Sequence, residues 1–221
     1  LNALAAAMAV AMGGFSAGAF AAAPVANSQI GNTATATYTD ASAVPRSATS
    51  NTVQTIVQQV RAFDLVADET RYVAPGGQVT FPHTLTNTGN GSDTITLSAA
   101  NNNALGDDFD LTGLVIYADL DGNGVADNAT PIASVTLAAG QVFKFVVVSN
   151  APVTASNAQD ADVTVTATAV ATPSLLSLTD TSADKAIIST NAVISVKKSA
   201  NILTGSAGTV VEYTLTYNNT A

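Results

Sequence analysis

The chain has 221 residues, enough for one large or two small domains, and carries 16 acidic against 7 basic side chains for a net charge of −9. That balance argues against nucleic acid as a partner, because counterion release needs clustered Lys and Arg, and against anionic membrane surfaces. Cysteine is absent, which excludes a disulfide framework and any thiolate metal site.

Residues 1–26, LNALAAAMAVAMGGFSAGAFAAAPVA, are small, apolar and uncharged. They read as the hydrophobic region of a secretory signal peptide and its small-residue cleavage site, with Ala19-Phe20-Ala21 and Ala21-Ala22-Ala23 both fitting A-x-A. A retained transmembrane anchor is the rival reading, since about 20 apolar residues span a bilayer. The dominance of Ala and Gly and the polar stretch after Pro24 favour removal, and therefore export. This segment is the one credible helix. The start without Met and the end inside the alternating run VEYTLTYNNTA read as a fragment of a longer precursor.

Beyond residue 27 the period is two. NTATATYTD, SNTVQTIVQQV, GQVTFPHTLTN, DTITLSA, GLVIYA, IASVTLA, QVFKFVVVS and DVTVTATAV are short runs rich in Val, Ile, Thr and Phe. Turn signals such as Pro75-Gly76-Gly77, Asn90-Gly91 and Ala139-Gly140 punctuate them, which predicts an all-β chain folded as an antiparallel sandwich. An internal repeat is also visible. TATAT from Thr33 recurs as TVTAT from Thr164, SNTVQTIV resembles STNAVISV with Asn51 set against Asn191, and VTFPHTLTNTG from Val79 matches VEYTLTYNNTA from Val211. Offsets of 131, 140 and 132 residues between these pairs keep the order, as expected of Ig-sized units joined end to end. The expected organisation is a signal-like segment at 1–26, the terminal strand pair of one repeat at 27–62, a complete sandwich at 63–172, and a linker with the start of the next repeat at 173–221.

The motifs VAPGGQVTFPHTLTNTGNGSDTITL, GLVIYADLDGNGVADN and VTLAAGQVFKFVV, followed by GTVVEYTLTYNNTA, resemble the conserved-repeat Ig-like domains of large bacterial cell-surface proteins. The resemblance covers nearly all of the chain after residue 27. It implies Ig-like β-sandwich repeats in tandem in an exported cell-envelope protein, with no catalytic activity.

YADLDGNGVADNAT, from Tyr117, concentrates carboxylates in a chain with only 10% charged residues. Asp119, Asp121 and Asn123 stand at positions one, three and five of a D-x-D-x-N-G pattern, Gly124 takes the glycine position, Val125 offers a carbonyl and Asp127 stands at nine. Hard cations such as Ca²⁺ want six to eight oxygens, so these five residues form a candidate structural calcium site. The twelfth position is Thr130 where a bidentate Glu normally closes the cage, which weakens the site towards the ~0.1–1 mM range. Asp107, Asp108 and Asp110 are candidates to complete the sphere. An ordinary solvated turn is the alternative, since Asp, Asn and Gly favour turns on their own account.

His83, the single histidine, alternates with Val79, Phe81 and Leu85 and reads as a packed or hydrogen-bonded core residue. Its counterpart in the repeat is Leu215. The single G-x-S-x-G match, Gly14-Phe15-Ser16-Ala17-Gly18, falls inside the signal-like segment and follows no strand pattern, and neither APGGQ nor GNGSD opens a helix that would cradle phosphate. Lys144 in VFKFVVV reads either as an interior lysine available for an isopeptide cross-link or as an edge-strand lysine that blocks aggregation. Three functions follow in order of preference. The first is a non-enzymatic spacer, stalk or adhesive scaffold at the cell surface, partnered by neighbouring repeats or other copies. The second is a self-assembling filament subunit whose unpaired strands, Asn32 to Tyr38 or Val211 to Tyr217, complete a neighbour's sheet. The third is an exported hydrolase with its catalytic part beyond Ala221.

Overall fold

The computed structural model describes residues 24–219 other than 67, 171, 173, 174, 192, 193 and 203. The signal-like stretch 1–23, with the expected helix, lies outside the described residues. Among the described residues, every regular element beyond a single 3₁₀ turn is a strand, as the period-two alternation requires. A ribbon comes first: β1 (Gln29–Asn32) pairs with β4 (Val53–Ile56), and β2 (Thr35–Thr39) with β3 (Pro45–Thr49). Nine strands then build a sandwich: β5 (Phe63–Val66), β6 (Thr70–Val73), β7 (Gln78–Asn87), β8 (Asp93–Asn101), β9 (Thr112–Ala118), β10 (Ser134–Leu137), β11 (Val142–Asn150), β12 (Asp160–Ala169) and β13 (Leu178–Ile188). A hairpin of β14 (Ile194–Ala200) and β15 (Tyr213–Asn219) follows.

The sandwich layers a four-stranded sheet, β5-β7-β11-β9, on a five-stranded one, β10-β8-β12-β13-β6. Alternation sends Phe81, Leu85, Phe145 and Val147 inward from the first and Ile95, Val163, Val165, Ala167 and Ile188 inward from the second. Burying a Phe, Leu or Ile side chain completely is worth about 1.5–3 kcal/mol, so this interior is what holds the layers together. Threonines take the outward positions, where Thr94 meets Thr136 across strands (2.8 Å) and Thr168 meets Thr179 (3.3 Å). One pairing departs from the antiparallel expectation. β6 runs parallel to β13, because the chain leaves the four-stranded sheet after β5 and crosses to the edge of the other.

Two expectations about boundaries need correction. β13 pairs with β12 over ten residues, so the sandwich extends to Ile188 and does not end at 172. The stretch expected to be linker from 173 enters β13 at Leu178. Lys144 sits on β11, an internal strand between β7 and β9, so it is no edge-strand lysine; it is exposed and points away from Phe143 and Phe145, so it is not interior either.

The pairing registers can be set beside the offsets expected of a repeat. Adding 131 to both members of the pair Gln29↔Ile56 gives Asp160↔Ile187, which is the register of β12 on β13. Adding 131 and 132 to Phe63↔Asn87 gives Ile194↔Asn219, the register of β14 on β15. The β1–β4 pair therefore has the register of the start of β12 on β13, and β14–β15 that of β5 on β7, whereas β2–β3 departs by one residue: Thr35↔Thr49 shifted by 131 gives 166↔180, where β12–β13 pairs Thr166↔Thr181. By this register β4 corresponds to the end of β13, so the 140-residue offset between SNTVQTIV and STNAVISV is not the structural one.

The flanking elements leave from opposite ends of the sandwich. At one end, Asn90 in the β7–β8 turn accepts from Val60 N (2.7 Å) and donates to Pro24 O (3.1 Å) and Gln58 O (3.0 Å). Arg61 donates to the carbonyls of Val170 and Leu176, just before β13, and its Nε lies 2.7 Å from Asp93 with both side chains nearly buried. The hairpin departs after Ile188, at the far end of β13, where Ser189 N donates to Val73 O.

Candidate functional site

β9 delivers the acidic loop. Ala118 is buried in the sheet, and Asp119, the next residue, is itself only 2% exposed. Its Oδ1 accepts from Asn123 N (2.9 Å) and its Oδ2 from Gly124 N (2.8 Å), so one carboxylate ties the turn from within. Gly122 and Gly124 have φ of 70° and 79°, the left-handed region where a side chain would be strained. Asp121 accepts from Asn123 N (3.1 Å) and Nδ2 (2.6 Å), and Asp127 Oδ2 accepts from Leu120 N (2.7 Å). The loop then returns past Tyr117 and Val148, and Val125, Ala126 and Ala129 border the outer face of the four-stranded sheet.

Of the residues named from sequence, the fold brings Asp119, Asp121 and Asp127 together, with one oxygen of each within 4.8 Å of the others. Asn123 is occupied inside the loop, since its Oδ1 accepts from Val125 N (2.9 Å). The Val125 side chain is exposed. Asp107 and Asp108 do not join this group. Their carboxylates accept from Asp162 N and Asp160 N (both 3.1 Å), capping the start of β12. Beside them Lys185 is bracketed by Asp160 and Asp162, whose hydrogen bonds raise its pKa.

Burial pushes the Asp119 carboxyl above its ordinary value, against the lowering effect of its two backbone donors. Partial desolvation also acts upward on Asp121, but the side-chain and backbone donors of Asn123, with Lys197 nearby, outweigh it and leave that group lowered. Three hard-oxygen donors of this kind, one of them desolvated, suit a hard cation and no soft one. The Lys144 ammonium reaches the same loop at Gly122, where it provides positive charge beside the carboxylates.

The contact least legible in sequence lies between the sheets. His83 Nε2 on β7 meets Asp184 Oδ2 on β13 at 2.9 Å, and both side chains are fully buried. Asp184 Oδ1 accepts from Glu69 N (3.1 Å), the His83 ring stacks on Phe145, and His83 Nδ1 has no partner among the described residues. The single histidine is thus a hydrogen-bonded core residue, as its alternation with apolar neighbours suggested. Its side chain has no solvent contact.

No protein-family model matches the chain, and no curated protein matches it. Solved structures similar to it include PapD-like domain 7 of human CEP192, at 14% identity over 57% of this chain and 84% of that one, with a TM-score of 0.36. A family 123 glycoside hydrolase from Clostridium perfringens is similar at 12% identity over 55% of this chain and 22% of that one, TM-score 0.36. The CooA pilin subunit of enterotoxigenic Escherichia coli is similar at 11% identity over 57% and 98%, TM-score 0.34. Likeness at this level carries no statement about activity.

Proposed function

We propose that the chain is a non-enzymatic structural module of an exported bacterial surface or extracellular-matrix protein. In this reading it is a stretch of a tandem array of Ig-like sandwiches serving as spacer, stalk or adhesive scaffold. The observation that supports it best is the pairing register: shifted by 131 to 132 residues, β1–β4 falls on the start of β12–β13 and β14–β15 corresponds to β5–β7. Departure from opposite ends is the geometry a linear string of units needs. The burial of His83 and the self-satisfied aspartates of the turn are also what a mechanical module, rather than a catalyst, would use.

The mechanical reading is tested by pulling the full chain from its two ends. One cooperative rupture is expected, with a contour gain of about 45 nm for residues 63–188 at roughly 3.6 Å per residue. Smooth extension without a rupture would overturn it. A structural Ca²⁺ at Asp119, Asp121 and Asp127 belongs to the same proposal. Ions at ten to a hundred times a weak Kd would stabilise the folded state by about 1.4–2.7 kcal/mol. Calorimetry should show a melting temperature that rises with millimolar Ca²⁺ and falls back with chelator. Asp121→Asn should remove the response, and a wild-type chain indifferent to Ca²⁺ would make the loop an ordinary turn.

A second reading, a filament subunit assembling through its terminal strands, is favoured by one observation. Both flanking strand pairs are exposed on the faces that their counterparts bury in the sandwich.

A further inference from the structure

We infer that the groove between the acidic loop and the outer face of the four-stranded sheet binds a neutral sugar through one hexopyranose unit. This gives the adhesive form of the surface reading a ligand, and rests on that reading for its purpose. The groove holds about 370 Å³, at the small end of the roughly 300–1,000 Å³ of ligand sites, which suits a mono- or disaccharide. Its floor crosses three strands. Thr80 on β7 stands opposite Val148 on β11, and Tyr117 on β9 lies one row away, opposite Val146. Thr80, Val148 and Tyr117 point outward because their neighbours Val79, Phe81, Ile116 and Val147 face the core. Val125 and Asn128 of the loop form the wall.

The lining has two kinds of surface. Tyr117, Val148 and Val125 offer an aromatic ring and two aliphatic side chains, with Val125 left 54% exposed at the rim. Beside them the Gln78 amide, the Thr80 and Tyr117 hydroxyls and Asn128 Nδ2 have no hydrogen-bond partner among the described residues. Asn128 Oδ1 accepts from Thr130 N (2.9 Å), which fixes that amide and leaves its Nδ2 to donate. A glutamine amide and a hydroxyl both donate and accept, as a sugar hydroxyl does. A pyranose ring has the same two-part character. Its C–H face packs on an aromatic ring, and its rim of hydroxyls seeks neutral donors and acceptors.

Other ligand classes fit this lining less well. No charged side chain lines the groove, while Asp121 and Asp127 stand on the same loop in a chain of net charge −9, so anionic sugars and phosphates are repelled. A peptide adding to the sheet would need an open strand edge. The edge beside the groove is covered, since Ala118 O accepts from Asp127 N (2.8 Å) and Ile116 O from Ile132 N (2.9 Å). The floor is set by strands whose opposite face is the core, so it is formed before any ligand arrives and little ordering is left to offset binding.

Two-dimensional NMR of the full chain, titrated with the methyl glycosides of glucose, galactose and mannose, tests this. At least one should shift the amides of residues 78–80, 117, 125–129 and 148 together and saturate in the millimolar range. Sialic acid, which carries a carboxylate, should leave them in place. Gln78→Ala and Asn128→Ala, both at exposed positions, should each weaken binding by about two- to tenfold, the worth of one hydrogen bond. Tyr117→Ala should weaken it by ~tenfold or more, and Tyr117→Phe, which keeps the ring, by less. Ala129→Trp removes no polar group but fills the groove, and should abolish binding. The thermal transition of each variant serves as its folding control. The groove is overturned by no shift with any of the three glycosides, by shifts scattered outside it, by folded variants that bind like the wild type, or by sialic acid binding equally well. If sugar binding fails while the force rupture of residues 63–188 persists, the groove alone is wrong; if the rupture is also absent, the module reading falls with it.

Discussion

His83 and Asp184 pose the sharpest energetic question at the scale of single residues. Two groups without solvent contact meet at 2.9 Å across the sheets, with the second imidazole nitrogen unpartnered among the described residues. Removing one member of a buried pair strands the other, at a cost of about 3–5 kcal/mol, while replacing both with apolar residues is commonly neutral or stabilising. Asp184→Val alone should therefore lower the urea midpoint sharply, and so should His83→Leu alone. The double variant, which reproduces the Val53 and Leu215 found at the flanking positions, should return to the wild-type midpoint or exceed it. Additive losses in the double variant would show that the polar pair contributes net stability and is not merely tolerated. Asp119 is the other residue whose environment matters. Its raised pKa marks a carboxylate held in a desolvated place, which a bound cation would relieve.

At the scale of elements, the joint between ribbon and sandwich turns on Asn90. Its side chain holds Val60, Pro24 and Gln58, while its backbone accepts from Ala26 N (2.9 Å) and donates to Val60 O (3.2 Å). Gly91 is packed so closely that a Cβ there would meet Ala26 and Gln59 at 3.0 Å. Asn90→Ala should free the ribbon while sparing the sandwich. Limited proteolysis should cut near residues 57–62 much faster, with the main unfolding transition changed by less than about 1 kcal/mol, since one exposed amide is worth only that much. Equal cleavage in both proteins would place the rigidity elsewhere. The sequence made the strands themselves legible, because period-two runs such as QVTFPHTLTN and DVTVTATAV admit no other regular structure. It also grouped Asp119, Asp121 and Asp127 correctly, because all three sit on one short turn. The end of the sandwich was hidden, because Leu178–Ile188 alternates around Thr179, Asp180 and Asp184, polar residues that read as a loop until Asp184 meets His83 and Asp180 meets Leu65 N. The separation of Asp107 and Asp108 from the acidic turn was equally hidden, since it depends on which strand end each carboxylate caps.

For the whole molecule, one closed body and three open strand pairs have very different stabilities. Residues 63–188 surround a continuous core, whereas every described residue of β1 to β4 is exposed and the hairpin buries little more. An isolated two-stranded ribbon is marginal in water, so the flanking pairs should open far more readily than the sandwich. Native-state hydrogen exchange of the full chain at micromolar concentration tests this division most directly. Slow amides confined to β7, β8, β11, β12 and β13, with 29–56 and 194–219 exchanging orders of magnitude faster, is the expected result. Protection spread evenly from the ribbon through to the hairpin in the monomer would contradict it.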